Sequence, residues 1–421
     1  MTSILNPDAI NLAANPKRRE NGGMTEARGW RDSAGAARPE LEINLCCGRA
    51  LVDSAANERV RFLIRNGLNW PEVAAIAERH RLSPVVYEVI AGAAQDLISP
   101  AELNALREAT APSTAAGMAL LRELLCLHRL FETAKIPVIP YKGPVLAWVA
   151  YGSFIRREYS DLDFVVQQKN VPDVVAVLKA AGYRPQFDLR EAHAGQGGSA
   201  PGQYSFLSHP QKILVEFHTE RTLRYFPTSI DLQDLLSRLM LVEIGGQRLH
   251  TFSIEDTLVM LCVHGAKHFW ERLGWVLDIA KLAAVQGVDW ALVTRVAAKM
   301  ESTRVLQLGL FLAHDLFDAP LPQYLVDEIC RDRAVQELAQ KVYELYAGIS
   351  DPGAGVLPRA VFRIRLRDGI GQGLRHTLRL AMSPTESDRE TVRLPRWLTP
   401  LYVLVRPWRL LREYGSGLKR R

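Results

Sequence analysis

Between Ile136 and His218 the spacing of apolar residues alternates between two periods, and few folds accommodate that order. Ile136-Pro137-Val138-Ile139-Pro140-Tyr141 is a short β-type run that stops at Lys142-Gly143-Pro144. Val145 to Tyr151 then reads as a helix, with Pro144 at an early position that a helix accepts. Asp161 to Gln167 is the next strand, and Val171 to Ala181 is a helix closed by Gly182. Tyr204 to Leu207 and Lys212 to His218 are two further strands. Strand, helix, strand, helix, strand, strand is the order of a small α/β sheet.

Helical spacing dominates on both sides of this stretch. From Leu41 to Ala109 apolar residues recur as Val60, Leu63, Ile64, then Val73, Ile76, Ala77, then Val85, Val86, Val89, Ile90. Ser113 to Lys135 predicts a longer amphipathic helix carrying Leu120, Leu124, Leu127 and Phe131. After Phe226 the pattern predicts helix almost to the end, with Ser253 as a cap, Glu255 and Asp256 in the first turn, and a kink at Gly274. The expected organisation is a disordered leader over 1–40, a helical N-terminal region over 41–112, an α/β core over 113–226, a helical domain over 227–349 and a basic segment over 350–421. The expected fold class is α+β, a small mixed sheet with a helical N-terminal segment and a mostly α-helical C-terminal region. Gly195-Gln196-Gly197 is no dinucleotide fingerprint, because no helix follows it.

With 421 residues and 48% hydrophobic content, the chain has ample material for more than one core. The nearest candidate for a membrane span, Val138 to Ile155, is interrupted by Lys142 and two glycines. Cys46, Cys47, Cys126, Cys262 and Cys330 are odd in number and show no metal-ligand spacing, the usage of a reducing compartment. A cytoplasmic location is the expectation. The net charge of +6 is unevenly spread. From Arg359 onward there are 15 Lys and Arg against 5 Asp and Glu, leaving 37 against 41 for the rest.

Asp161-Leu162-Asp163 opens the apolar strand Phe164-Val165-Val166 and sets two carboxylates on one face. Two like charges so close repel unless a cation or a shared proton offsets them, and carboxylate oxygens at that spacing suit Mg²⁺. The pair is followed by a later strand ending Val215-Glu216-Phe217-His218.

The sequence Lys142-Gly143, Arg157, Ser160-Asp161-Leu162-Asp163 and Glu216-Phe217-His218 resembles the nucleotidyltransferase superfamily, which has the fold of DNA polymerase β. It resembles more closely an uncharacterised bacterial branch whose members read "LKG…R…DxDLLV…(D/E)LH". The resemblance covers Leu120 to Leu282 and implies a nucleotidyltransferase α/β core at 113–226. It also implies transfer of a nucleoside monophosphate from an NTP to a hydroxyl or phosphate on a small molecule, sugar or peptide. It makes Asp161 and Asp163 ligands in a two-metal Mg²⁺ site, with Glu216 as the third carboxylate, either metal ligand or base. It places Lys142 and Gly143 with the triphosphate, although Pro144 removes one N–H donor from the turn, and it has Arg157 either pair with phosphate or hold the Asp161 loop. Gly152-Ser153 matches the family's usual wording but follows a helix-like segment, so Gly143 is the stronger candidate. Members of the branch are associated with secondary-metabolite or surface-polysaccharide pathways, an expectation of the resemblance only. The alternative is a non-catalytic nucleotide-binding or antitoxin-like protein of the same fold.

His218, His264, Lys267 and His268 complete the candidate set. His264 and His268 share a helix face, yet Gly265 stands where a zinc-protease helix carries Glu, so the expected role is lining the cleft that meets triphosphate or acceptor. In the tail, Leu394 to Arg412 interleaves aromatics, aliphatics and arginines. It fits an anionic membrane surface or another anionic partner. Packing on the helical domain is the competing reading, since Pro400 and Pro407 are expected to break a continuous helix. Nucleic acid is the disfavoured partner.

Overall fold

The computed structural model describes residues 4–5, 38–187, 202–209, 212–219, 231–349, 356–382, 391–392, 394, 398 and 401–414. Most of the leader and of the Gly-rich loop 194–203 lie outside these residues. Within them the fold is α+β, as the sequence order implies.

The central sheet has five strands in the order β2-β3-β6-β5-β4. They are β2 (Val138–Pro140), β3 (Asp161–Val166), β4 (Arg184–Pro185), β5 (Gln203–Leu207) and β6 (Leu214–His218). β3 and β6 run parallel; the other pairings are antiparallel. Because side chains alternate across a strand, one face of the sheet carries Phe164, Phe206 and Phe217, all fully buried. Phe164 and Phe217 stack with ring centroids 5.1 Å apart, and Phe131 meets Phe217 edge-on at 5.6 Å. The same alternation turns Asp161, Asp163, Glu216 and His218 to the opposite face.

Phe131 belongs to a helix longer than the sequence suggests. α5 (Pro100–Thr133) follows α1 (Pro39–Ala50), α2 (Asn57–Arg65), α3 (Trp70–His80) and α4 (Ser83–Ala93), and it runs unbroken through Pro112. The boundary drawn at 112/113 therefore falls inside one helix. A full capping box at Ser99 and Glu102 starts α5, and its apolar face against the sheet offsets the bond lost at the proline. Beyond α6 (Gly143–Tyr151), α7 (Val171–Ala180) and α8 (Leu232–Ser237), the expected run of helix is interrupted by a hairpin of β7 (Met240–Ile244) and β8 (Gln247–Thr251). Gly245 and Gly246, at φ +57 and +74, supply the two left-handed residues of its tight turn. Ile4–Leu5, inside the expected disordered leader, forms β1 and pairs with the free edge of β7, where its backbone groups find partners.

Two helices close over the functional face: α9 (Ile254–Lys267), capped by Ser253, and α10 (Leu273–Ala283). The break between them lies at 268–272 rather than at Gly274. Gly274 sits inside α10, where a Cβ would come within 3.0 Å of the His80 carbonyl oxygen. The turn instead uses left-handed Phe269 and Trp270, and the Trp270 indole fills a slot left by Gly265 and Gly309. That slot explains Gly265 without reference to a zinc motif. α11 (Trp290–Lys299), α12 (Thr303–Phe317), α13 (Gln323–Arg331) and α14 (Arg333–Tyr346) extend the helical part, and α15 (Val356–Arg365), α16 (Ile370–Met382) and α17 (Tyr402–Tyr414) follow. α17 continues through Pro407, which corrects the expected break. Among the described residues, no helix is long and apolar enough to cross a membrane.

Candidate active site

The parallel register of β3 and β6 builds the site. It sets Asp163 opposite Glu216 and Val165 opposite His218, so two acidic side chains and an imidazole share one face. His218 Nε2 lies 2.7 Å from Asp163 Oδ1 and 3.7 Å from Glu216 Oε2. Ser205, opposite Glu216 on β5, donates its hydroxyl to Glu216 Oε1 at 3.2 Å. Candidate ligand atoms of Asp163, Glu216 and His218 all lie within 4.8 Å of one another. Among the described residues, this is the cluster with the composition and spacing to hold a metal ion.

Asp161 stands one step outside that cluster, at the start of β3 and on the same face. Burial raises its carboxyl pKa, and the neighbouring Asp163 charge raises it further. Burial would raise Asp163 too, but Lys142 and the His218 hydrogen bond outweigh it and hold this carboxyl well below the usual carboxylate range. Asp163 is therefore firmly anionic, whereas Asp161 retains its proton more readily, the arrangement that a bound cation would relax.

β2 delivers the lysine. Tyr141 N–H donates to the Asp163 carbonyl at 3.3 Å, and the next residue, Lys142, brings Nζ to 3.7 Å from Asp163 Oδ1. Gly143 follows at φ +54, and a Cβ there would come within 3.1 Å of the Asp161 carbonyl oxygen. Glycine at this turn thus lets the start of α6 approach the acidic strand, whereas Gly152 closes α6 at its C-terminus.

α9 faces the carboxylates from across the cleft. Lys142 Nζ lies 3.4 Å from His264 Nδ1, so the ammonium donates to a neutral imidazole. Burial, and then the Lys142 charge, push His264 far below the ordinary histidine value; burial and Lys267 push His268 down to about 4. Both rings pack on Trp275, at 5.0 and 5.2 Å. They are neutral hydrogen-bonding and stacking groups, not cations. Lys267 is depressed first by burial and then by Lys142, and it feels the charges of Glu216 and Asp163.

Arg157 occupies a different position from a free phosphate clamp. Its Nε donates to both carboxylate oxygens of Asp278 at 2.9 and 3.0 Å, and the Tyr151 hydroxyl donates to the same carboxylate at 2.8 Å. The pair is almost fully buried and ties the loop before β3 to α10. Nη1 of Arg157 is buried without a hydrogen-bond partner, so one donor is left over. Arg156 grips Glu88 of α4 through Nε and Nη2. Glu158 accepts from Ser83 N–H at 3.1 Å, a second tie between this loop and the N-terminal helices. Neither Arg156 nor the Asp278 anchor follows from sequence spacing, since their partners lie 68 and 121 residues away.

The family model described as "Uncharacterised nucleotidyltransferase" matches residues 66–318, which include every one of these site residues. The chain belongs to this nucleotidyltransferase family. A search of curated proteins finds no match. Among solved structures, an antigenic nucleotidyltransferase-like protein from Paracoccidioides brasiliensis is similar at 16% identity, over 51% of this chain and 98% of that one, with a TM-score of 0.30. So distant a likeness bears no weight in reading the site.

The donor set fits a divalent cation. Asp163 and Glu216 offer hard oxygen atoms side by side, and Asp161 adds a third carboxylate on the same face. His218 already hydrogen-bonds Asp163, which fixes that carboxylate's orientation.

Proposed function

We propose that this protein is a Mg²⁺-dependent nucleotidyltransferase that moves a nucleoside monophosphate from an NTP to a hydroxyl or phosphate acceptor on a small molecule, sugar or peptide. The observation carrying this reading is the β3–β6 register, which brings Asp163 and Glu216 together beside Lys142, with Asp161 two residues away on the same face. Asp161, Asp163 and Glu216 would hold the metal, which supplies charge neutralisation for in-line displacement at the α-phosphorus. Lys142 and Lys267 compensate phosphate charge. Neutral His264 and His268 offer hydrogen bonds to substrate, and the leftover Nη1 of Arg157 points to a further phosphate contact. Glu216, less buried than Asp163, is the group that would take the acceptor proton where it does not itself bind the metal.

The test incubates purified protein with Mg²⁺, each NTP and a cell extract, following label transfer and pyrophosphate release, with Asp163→Asn as control. Equal transfer by both proteins removes the catalytic reading. One feature favours a second reading, a non-catalytic nucleotide-binding or regulatory protein. Asp163 is already compensated by Lys142 and His218, so the fold stands without a metal. Tight NTP binding with no transfer to any acceptor decides for it.

A further inference from the structure

Seven of the twelve large hydrophobic side chains exposed among the described residues lie in the C-terminal segment from Val356 to Tyr414. The rest of the chain buries such residues efficiently, so this concentration calls for an explanation. On α16, Leu374, Leu378 and Met382 recur every four residues and form one outward stripe. On α17, Leu404 and Trp408 continue from Leu401 at helical spacing, while Tyr402 and Arg406 point inward. Leu378 and Leu404 are 62% and 67% exposed, and Trp408 is 50% exposed. The two helices pack against each other, and α15 packs on α16, so the stripes stand on a fixed support. Gly373 makes the second contact close, since a Cβ there would meet the Ile364 carbonyl at 2.6 Å.

Charge selects the partner. The same segment, Val356 to Tyr414, carries 12 basic against 5 acidic residues. Arg375 and Arg412 are exposed beside the stripes, and the Arg412 guanidinium lies 5.5 Å from the Trp408 ring. Apolar side chains bordered by arginines, with a tryptophan among them, match the interfacial zone of a negatively charged bilayer. An uncharged protein groove would leave the surplus positive charge unmatched. We propose that α16 and α17 form a docking surface for an anionic lipid bilayer, with Leu374, Leu378, Leu404 and Trp408 entering the headgroup–acyl boundary and Arg375 and Arg412 meeting lipid phosphates. This goes beyond the nucleotidyl-transfer reading and places that chemistry at a membrane surface.

The full-length protein is floated with vesicles of phosphatidylcholine alone, or of phosphatidylcholine mixed with phosphatidylglycerol, at low and high salt. Binding is expected only to the anionic vesicles, reduced by salt. The double variant Leu378→Glu/Leu404→Glu, at exposed positions, is expected to lower partitioning about a hundredfold or more while its circular dichroism stays that of the parent. Trp408→Phe is expected to remove a blue-shifted component that anionic vesicles induce in the fluorescence. Three results overturn the proposal: no binding to anionic vesicles, binding unaffected by the double variant, or self-association in solution that this variant abolishes. The last would assign the face to a second copy of the chain. Because vesicle binding is read without turnover, its failure is separate from failure of the catalytic reading.

Discussion

The Arg157–Asp278 pair makes the sharpest claim about how the acidic strand is held, and replacing Asp278 by Asn tests it. Asp278 is 2% exposed and Arg157 11% exposed at the side chain, so neither charge has water to fall back on. The carboxylate accepts two contacts from Arg157 Nε and one from the Tyr151 hydroxyl. Contacts to a charged group contribute roughly 1.5–3 kcal/mol each, but three on one carboxylate are strongly coupled and do not add. The governing cost is that of an uncompensated guanidinium in the interior, about 3–5 kcal/mol. Asp278→Asn is therefore expected to lower the urea midpoint substantially. Removing every polar member at once, in Tyr151→Phe/Arg157→Met/Asp278→Leu, is expected to recover most of that loss, because apolar replacement of a buried pair is often close to neutral. Urea unfolding followed by circular dichroism gives both numbers, and NTP binding is measured alongside. A midpoint unchanged in Asp278→Asn would refute the structural reading. Loss of NTP binding with an unchanged midpoint would show that Arg157 acts mainly on ligand.

Other expectations follow from single features. Leu273 N–H donates to Nδ1 of buried His80, which burial pushes down to about 4, so the unfolded chain takes up this proton first as pH falls. Through His80, stability is expected to decline between about pH 6.5 and about pH 4 by up to roughly 3 kcal/mol, and His80→Gln should narrow the gap between urea midpoints at about pH 5 and about pH 7 without closing it, because His264 and His268 are held low as well. Gly265→Ala drives a methyl group into the Trp270 ring and is expected to cost at least about 1–3 kcal/mol, seen in thermal melts. Gly143→Ala strains a left-handed backbone by about 1–2 kcal/mol and crowds the Asp161 carbonyl, so transfer activity should fall more than stability. A wild-type turnover rate in that variant would remove the turn from the site. Asp163→Asn should weaken Mg²⁺ affinity by titration calorimetry, while Asp161→Asn, outside the tight cluster, should weaken it less.

The strands around the acidic pair could be read from the sequence because alternation is a local property, and Asp161, Asp163, Glu216 and His218 fall at matching parity. Their register could not, since nothing in either strand specifies that Asp163 rather than Asp161 stands opposite Glu216. The hairpin at Met240 to Thr251 carried a readable signal, two glycines between alternating runs, that the surrounding helical pattern concealed. Arg157 was picked out by the family resemblance, but its buried partner Asp278 lies on a helix where carboxylates are common and spacing is uninformative. A proline misled in the opposite direction: Pro407 reads as a break, yet it costs one hydrogen bond that a helix with other support tolerates.

The parallel pairing of β3 with β6 has a thermodynamic side. Asp163 and Glu216 are 53 positions apart in sequence, and only the formed sheet makes them neighbours. An ion that needs both carboxylates binds the assembled sheet and ignores the unfolded chain, so its free energy adds to that of folding. Saturating Mg²⁺ should thus raise the melting temperature of the wild type and leave Asp163→Asn unmoved. The affinity of the ion then becomes a gauge of how well the central strands are joined.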